Sequence, residues 1–178
     1  MRLFVAIDLP PDLKDRLLAL KTDIPGAVWV KPPALHLTLR FLGDPIDPIR
    51  LTPIRTALAS VKAAPFPLTL RGTGRFPSGD RRPARVLWVG MADQPALTAL
   101  QAAVEQALVP LGFAPEDRPF SPHITLARLK GEGSVARFLD RHGAFRAEPF
   151  TVSEFHLVSS TLTPGGPNYR HEATFPLV

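Results

Sequence analysis

The apolar and polar positions of the first half of the chain alternate between strand-like and helix-like patterns. The run Arg2 to Ile7 is apolar and rich in strand formers, and the prolines after it introduce leucines at helical spacing. The same pattern continues through a second strand and a second helix. We therefore predict a strand over 2–7, a helix after Pro10, a strand over 35–42, a helix after Pro48 or Pro53, and a strand over 66–71.

The second half of the chain restarts this pattern. The run Arg85 to Met91 resembles the opening run, and the leucines after it have helical spacing up to Gly112, a residue typical of a helix end. We predict a strand over 85–91, a helix ending at Gly112, a strand over 123–129, a short helix ending at Gly143, a strand over 150–158 and a last strand over 169–177.

The order strand, helix, strand, helix, strand thus occurs twice, which indicates a duplication. It predicts an α+β fold of two similar lobes related by a pseudo-twofold axis, with a cleft between them. At 178 residues we expect a single domain over 1–178. A single offset aligns three pairs, Phe4 with Trp88, Leu13 with Leu97 and Phe66 with Phe150.

The central strand of each half carries the same short motif, His-x-Thr followed by leucine, at residues 36–39 and 123–126. Chance would place roughly 0.3 His-x-Thr pairs in a chain of this composition, so a repeated pair is informative. In a strand, a histidine and the threonine two residues later share one face, while the apolar residues between them point into a core. An imidazole beside a hydroxyl suits phosphate chemistry, because one moves protons near neutral pH and the other contacts phosphoryl oxygens.

Composition excludes several other classes of chemistry. The chain has no cysteine, which removes disulfides, thiolate catalysis and cysteine-based metal sites. It shows no membrane-length apolar run and no signal-peptide pattern, so we expect a soluble, cytoplasmic protein. We also expect it to be a monomer. The net charge of +5 is compatible with anionic partners such as nucleic acid, although arginine richness alone can reflect genome composition.

The segment Arg71 to Arg85 is predicted to be a loop, and it holds five arginines, three glycines and two prolines. Two interpretations stay open for it. It is either a solvated surface loop or a mobile basic lip over an anionic substrate.

The two extended motifs resemble those of a known family. Trp29-Val-Lys-Pro before HLTLRFLG, and Ser-Pro before HITLAR, are similar to the 2H phosphoesterases, and within them to the RNA 2′,3′-cyclic phosphodiesterases, also called 2′-5′ RNA ligases. The resemblance implies a duplicated β-α-β-α-β fold with two antiparallel-sheet lobes. It also implies metal-independent, cofactor-free hydrolysis of RNA 2′,3′-cyclic phosphate ends, or of small cyclic nucleotides, to 2′-phosphomonoesters, with possible reverse 2′-5′ ligation.

The same resemblance implies roles for individual residues. They are His36 as proton donor, His123 as proton acceptor, Thr38, Thr125 and Arg128 as phosphate contacts, and Phe4 as an aromatic against the terminal base. In a flat strand Arg128 would face away from His123, so its role requires an irregularity near Ala127.

The residues alone also allow other interpretations. The histidine pair could bind a metal, but Asp44 is the nearest carboxylate and lies beyond a turn, so no metal is expected. A non-catalytic RNA-end-binding module on the same fold is the alternative function. Arg40 either reaches the cleft or lies on a solvated edge. His142 ends a predicted helix, where a cation suits the helix dipole, so we interpret it as structural. His156 and His171 carry no signal above background.

Overall fold

The computed structural model describes residues 1–178 and contains ten strands and four α-helices. The strands are β1 (Arg2–Asp8), β2 (Ala27–Trp29), β3 (His36–Gly43), β4 (Phe66–Leu68), β5 (Leu70–Phe76), β6 (Val86–Met91), β7 (Ile124–Leu129), β8 (Phe150–Val152), β9 (Glu154–Thr163) and β10 (Gly166–Pro176). The helices are α1 (Pro11–Leu18), α2 (Leu51–Ala59), α3 (Pro95–Leu108) and α4 (Ala136–His142).

The strands form two four-stranded antiparallel sheets, ordered β10-β9-β1-β3 and β2-β7-β6-β5. The remaining strands, β4 and β8, pair antiparallel with each other. The α+β fold with antiparallel sheets is confirmed. No helix is long and apolar enough to cross a membrane.

Each sheet contains the same three-strand unit, β9-β1-β3 in one and β5-β6-β7 in the other. The two halves of the chain exchange strands to build these units. Strand β9 from the second half pairs with β1, and β5 from the first half pairs with β6. The lobes are therefore not the two halves of the sequence taken separately.

Three predicted elements were wrong in detail. The predicted strand over 66–71 is divided at Thr69 between β4 and β5. The first part of the Arg71–Arg85 segment is not loop, because β5 pairs with β6 as far as Phe76. The predicted strand over 150–158 is two strands, β8 and β9, separated at Ser153. Polar residues and glycines occupy most of β5, so its sequence lacks the run of apolar and β-branched residues that is typical of a strand.

The two motif strands carry their apolar residues inward, as predicted. Leu37 and Leu39 of β3, and Ile124 and Leu126 of β7, are all at most 3% exposed. They belong to one continuous apolar core that includes residues of both sheets and of all four helices. Burying four such side chains stabilises the fold by roughly 1.5–3 kcal/mol each, which ties both motifs to the packing of the core.

Helices α1 and α3 both begin with proline, at Pro11 and Pro95, where the missing amide hydrogen costs nothing. After α3 a short 3-10 turn over Val109–Leu111 leads to Gly112, whose φ of 91° is accessible to glycine at little cost. The predicted helix end at Gly112 is thereby explained.

The structure corrects the alignment of the repeat in one place. Thr38 lies opposite Ala6, whereas Thr125 lies opposite Trp88. The strand position equivalent to Trp88 is therefore Ala6 and not Phe4. The segment from this position to the helix-initiating proline is two residues longer in the second half, which sequence alignment alone cannot distinguish from an ungapped match.

Candidate active site

Both motif strands contain a β-bulge immediately after the threonine. On β3, Thr38 pairs with Ala6 and Arg40 with Val5, so Leu39 is an extra residue. A bulge reverses the alternation of faces for the residues that follow it.

The second bulge occupies the matching place. On β7, Thr125 pairs with Trp88 and Ala127 with Leu87, so Leu126 is the extra residue. Leu126 and Ala127 are consecutively buried, and Arg128 is exposed. The predicted irregularity near Ala127 is confirmed, and it brings Arg128 onto the face of Thr125.

The two histidines are held in the same way. Nδ1 of His36 lies 3.3 Å from the carbonyl oxygen of Pro33, and Nδ1 of His123 lies 2.8 Å from that of Ser121. Because a carbonyl only accepts hydrogen bonds, each Nδ1 carries the hydrogen and donates it. Each Nε2 then has no protein partner and is the nitrogen free to give or take a proton.

His36 lies in a more enclosed environment that changes its acidity. Burial lowers the pKa of His36 below its ordinary value of 6.5, and the charges of Lys14 and His171 lower it further. The hydrogen bond to Pro33 and the carboxylate of Asp8 oppose this shift without cancelling it. The free protein therefore holds His36 mainly neutral at pH 7.

The carboxylate of Asp8 is itself held in the ionised form. Burial raises the pKa of Asp8, but the hydrogen bonds from Lys14 and from the Leu9 amide, with the nearby positive charges, outweigh it, and the net shift is downward. The Lys14 ammonium lies 2.9 Å from the carboxylate. A negative charge thus stays beside His36 throughout the neutral range.

A cavity of about 810 Å³, which we call the cleft, has side chains of both motifs in its wall. Thr38 from β3 and His123 from β7 line it together, and Cα atoms of the two strands approach within 8 Å. His36, Thr125 and Arg128 are not among the residues that line the cleft, and His36, two residues before Thr38, lines a separate small crevice with Tyr169. The remaining wall of the cleft includes Phe41, Phe76, Arg82, Arg85, Arg118 and Phe120.

Phe4 has almost no ring surface left for a base, because it is only 4% exposed. Its ring packs 4.9 Å from the ring of His36 and edge-on to Tyr169. The structure therefore disagrees with a base contact at Phe4, and it places this ring as packing behind the histidine.

Arg40 lies in the cleft wall, but its charge is engaged. Its guanidinium donates to Glu105 at 2.9 Å and to the carbonyl oxygen of Ala114 at 2.7 Å, and its side chain is 10% exposed. Neither of the two sequence interpretations describes this residue fully. Arg40 ties β3 to α3 and to the segment after it.

The basic segment divides into two parts. Arg82 and Arg85 line the cleft, while Arg71 lies in a different cavity. Arg75 donates to the carbonyl oxygens of Pro77 and Arg82 and so holds the tip of the segment together. The position in the cleft wall favours the interpretation as a basic lip for Arg82, whereas Arg85 donates to the carbonyl oxygen of Gly131 at 2.7 Å.

A second group of histidines lies near His36, and no sequence pattern indicated it. The rings of His156 and His171 stack with centroids 4.0 Å apart, and His171 Nε2 lies 3.8 Å from Asp8. The two residues lie on β9 and β10, which are far from β1 in the sequence, and only the pairing of those strands brings them together. No group of three or more acidic or histidine side chains is arranged to hold a metal ion.

Comparison with known proteins agrees with this arrangement. Residues 9–163 match the family model described as the 2′-5′ RNA ligase superfamily. The chain is 33% identical to an RNA 2′,3′-cyclic phosphodiesterase of Archaeoglobus fulgidus, over 98% of this chain and 99% of that protein. It is 35% identical to a protein of the same name from Geobacillus stearothermophilus, where 98% of this chain spans 57% of the relative.

Solved structures show the same fold. A Thermus thermophilus protein superposes with a TM-score of 0.81 at 31% identity, covering 99% of this chain and 98% of that one. E. coli LigT, crystallised with 3′-AMP, gives 0.80 at 27% identity, covering 99% and 97%. The chain is a member of the 2′-5′ RNA ligase superfamily.

Proposed function

We propose that this protein hydrolyses the 2′,3′-cyclic phosphate at RNA ends to a 2′-phosphomonoester, without a metal or cofactor. The observation that carries the proposal is the matched pair of motif strands, in which each histidine offers Nε2 and each threonine precedes a bulge. Relatives bearing the name RNA 2′,3′-cyclic phosphodiesterase support the same reaction.

In the proposed reaction His123 removes a proton from water, and the water oxygen bonds to phosphorus. The bond from phosphorus to the 3′ oxygen breaks, and His36 gives its proton to that oxygen. The 2′ phosphoester stays intact, so the product is a 2′-phosphomonoester. With a 5′-hydroxyl RNA end in place of water, the same steps in the same direction join two ends through a 2′-5′ bond.

Charge on the non-bridging oxygens needs stabilisation, and this is the proposed role of Thr38, Thr125 and Arg128. Two hydroxyls and one guanidinium supply hydrogen bonds that strengthen as charge develops. The anionic phosphate also favours the protonated form of His36, against the effect of its burial. The acid therefore gains its proton most readily when the substrate is bound.

The test is turnover of adenosine 2′,3′-cyclic phosphate in the presence of EDTA, with the product separated by chromatography. We expect adenosine 2′-phosphate and no adenosine 3′-phosphate as the product. We also propose that the protein is cytoplasmic and elutes as a monomer in size-exclusion chromatography. Binding of a cyclic-phosphate RNA end without turnover would replace the proposal with the RNA-end-binding alternative. Loss of activity on chelation would replace it with a metal-dependent mechanism.

A further inference from the structure

The site is nearly symmetric, but its substrate is not. His36 and Thr38 on β3 match His123 and Thr125 on β7, so the two histidines alone would accept a phosphate in either of two orientations. A cyclic phosphate has a ribose and base on one side only. Residues that differ between equivalent positions must therefore decide the orientation of the substrate.

The equivalent positions differ just beyond the bulges. Three residues after each threonine, β3 has Phe41 and β7 has Arg128. Both bulges add one residue at the same place, so both side chains return to the face of the threonines. The motif histidines and threonines of β3 and β7 form a row of polar side chains, which we call the polar row. An aromatic ring follows it on β3, and a guanidinium follows it on β7.

Phe41 has the properties of a stacking surface. It lines the cleft and is 38% exposed, which is unusual for a phenylalanine in a strand of a folded protein. The guanidinium of Arg2 lies 4.5 Å from its ring centroid and restrains the ring. An aromatic ring held in this way can take a nucleobase on its remaining surface.

Arg128 has complementary properties. It is exposed and makes no hydrogen bond or ion pair, in contrast to Arg40, which is engaged by carboxylates. Its guanidinium is thus available to an anion at the β7 end of the row. The base is drawn to one end of the site and the negative charge to the other.

We propose that Phe41 stacks on the terminal nucleobase and thereby fixes the orientation of the substrate in the pseudo-symmetric site. This inference rests on the proposed function and adds a substrate preference, for ends that carry a base and for purines above pyrimidines. Phe41 lines the cleft together with Thr38 and His123, so a base stacked on it lies in the same cavity as one motif threonine and one motif histidine.

The experiment compares Phe41→Leu with the unchanged protein on two substrates. One is adenosine 2′,3′-cyclic phosphate, and the other is methyl riboside 2′,3′-cyclic phosphate, which has no base. Stacking of a base on an aromatic side chain contributes favourable binding free energy. In Phe41→Leu we therefore expect the ratio of kcat/KM for the substrate with a base to that for the substrate without one to fall about tenfold or more. Phe41→Trp should restore the ratio, whereas a purely structural role for Phe41 would lower both activities equally.

Two further variants sharpen the result. Phe76 lies in the cleft on the β7 side, with its ring 4.9 Å from that of His123, and is the competing surface for a base. A selective loss in Phe76→Leu, with none in Phe41→Leu, would overturn the proposal and reverse the orientation. Leu162→Ala, at a side chain 84% exposed, is the matched control for removing an exposed apolar group.

Failure of this inference is distinguishable from failure of the proposed function. Turnover of both substrates with an unchanged ratio in Phe41→Leu rejects the stacking role alone. Absence of any turnover rejects the hydrolysis. Calorimetric titration with adenosine 2′-phosphate and methyl riboside 2′-phosphate then still tests Phe41, because weaker binding of only the first ligand supports stacking and equal binding rejects it.

Discussion

Asp8 lies directly opposite His36 across the antiparallel pair of β1 and β3. The same carboxylate is bound by Lys14 and lies near His171, so His36 is adjacent to a small charge network. Burial lowers the pKa of His36, the charges of Lys14 and His171 lower it further, and Asp8 opposes them. The pH dependence of activity should report this balance.

The first prediction concerns the pH profile of kcat/KM. We expect a bell shape, with the limb that belongs to His36 below its ordinary value of 6.5. If His36 is the acid, this is the descending limb. Asp8→Asn removes a charge that favours the imidazolium and should move the limb to lower pH. Lys14→Gln removes an opposing charge and should move it to higher pH, and equal shifts in both variants would contradict this electrostatic account.

The second prediction concerns stability toward acid. Burial and then the charge of His171 lower the pKa of His156 in the folded protein. Below pH 6.5 the unfolded chain binds a proton at this residue that the folded chain does not, so the free energy of unfolding falls as pH decreases until the folded pKa is reached.

Denaturant unfolding at pH values of about 7.5, 6.5 and 5.5 checks this stability prediction. His156→Gln should make the loss on the acid side of pH 6.5 smaller than in the unchanged protein. His142→Gln, at the end of α4 and outside this cluster, is the matched control. An identical acid loss in His156→Gln would show that His156 does not contribute to it.

Features that depend on neighbouring residues in the sequence could be predicted, whereas features that depend on contacts between distant segments could not. Leu37 and Ile124 are buried as the local alternation predicts, because a short strand reveals its inner face in its own sequence. The bulge at Leu126 was predictable only through Arg128, whose implied role required it. The contact between His156 and His171 depends on the pairing of β9 with β10 and on their place beside β1, which no local pattern encodes.

Phe4 and Trp88 show a second limit of prediction from the sequence, which concerns the alignment of the two repeats. Both are aromatic residues in the opening strand of a repeat, and aligning them is the simplest interpretation of the sequence. Their strand partners show that they are not equivalent, since Trp88 faces a motif threonine and Phe4 faces Phe41. A two-residue shift preserves the inward or outward direction of every side chain in a strand, so the hydrophobic pattern cannot detect it.

The third prediction concerns the basic lip. The double variant Arg81→Gln and Arg82→Gln should weaken binding of a cyclic-phosphate RNA more than binding of a cyclic mononucleotide. The salt dependence should also flatten, by about 0.7 in log-log slope for each phosphate that the lip no longer neutralises. Arg75 is unsuited to this test because it holds the segment together. The control is the double variant Arg137→Gln and Arg141→Gln on α4. An unchanged salt dependence in the Arg81→Gln and Arg82→Gln variant would favour the other interpretation, in which this segment is a solvated surface loop.

The fourth prediction concerns Arg128. Arg128→Lys keeps the charge but loses the forked pair of donors that matches phosphate geometry, so kcat/KM should fall about tenfold or more. Arg137→Lys, at an exposed arginine on α4, should change kcat/KM by less than twofold. Full activity in Arg128→Lys would show that only the positive charge is used there, or that Arg128 does not contact the phosphate.

The last prediction separates the roles of the two histidines. His36→Ala and His123→Ala should each lower kcat by about 10²–10⁴-fold, since each removes one proton transfer from the same transition state. The double variant should be little worse than either single one, because the pair acts as a unit. A cyclic substrate with sulfur in place of the 3′ oxygen has a leaving group that needs no acid. It should partly rescue His36→Ala and leave His123→Ala inactive, because water still needs a base. Rescue of His123→Ala instead would keep the site and exchange the two roles, whereas rescue of both variants would mean that neither histidine is required as the base.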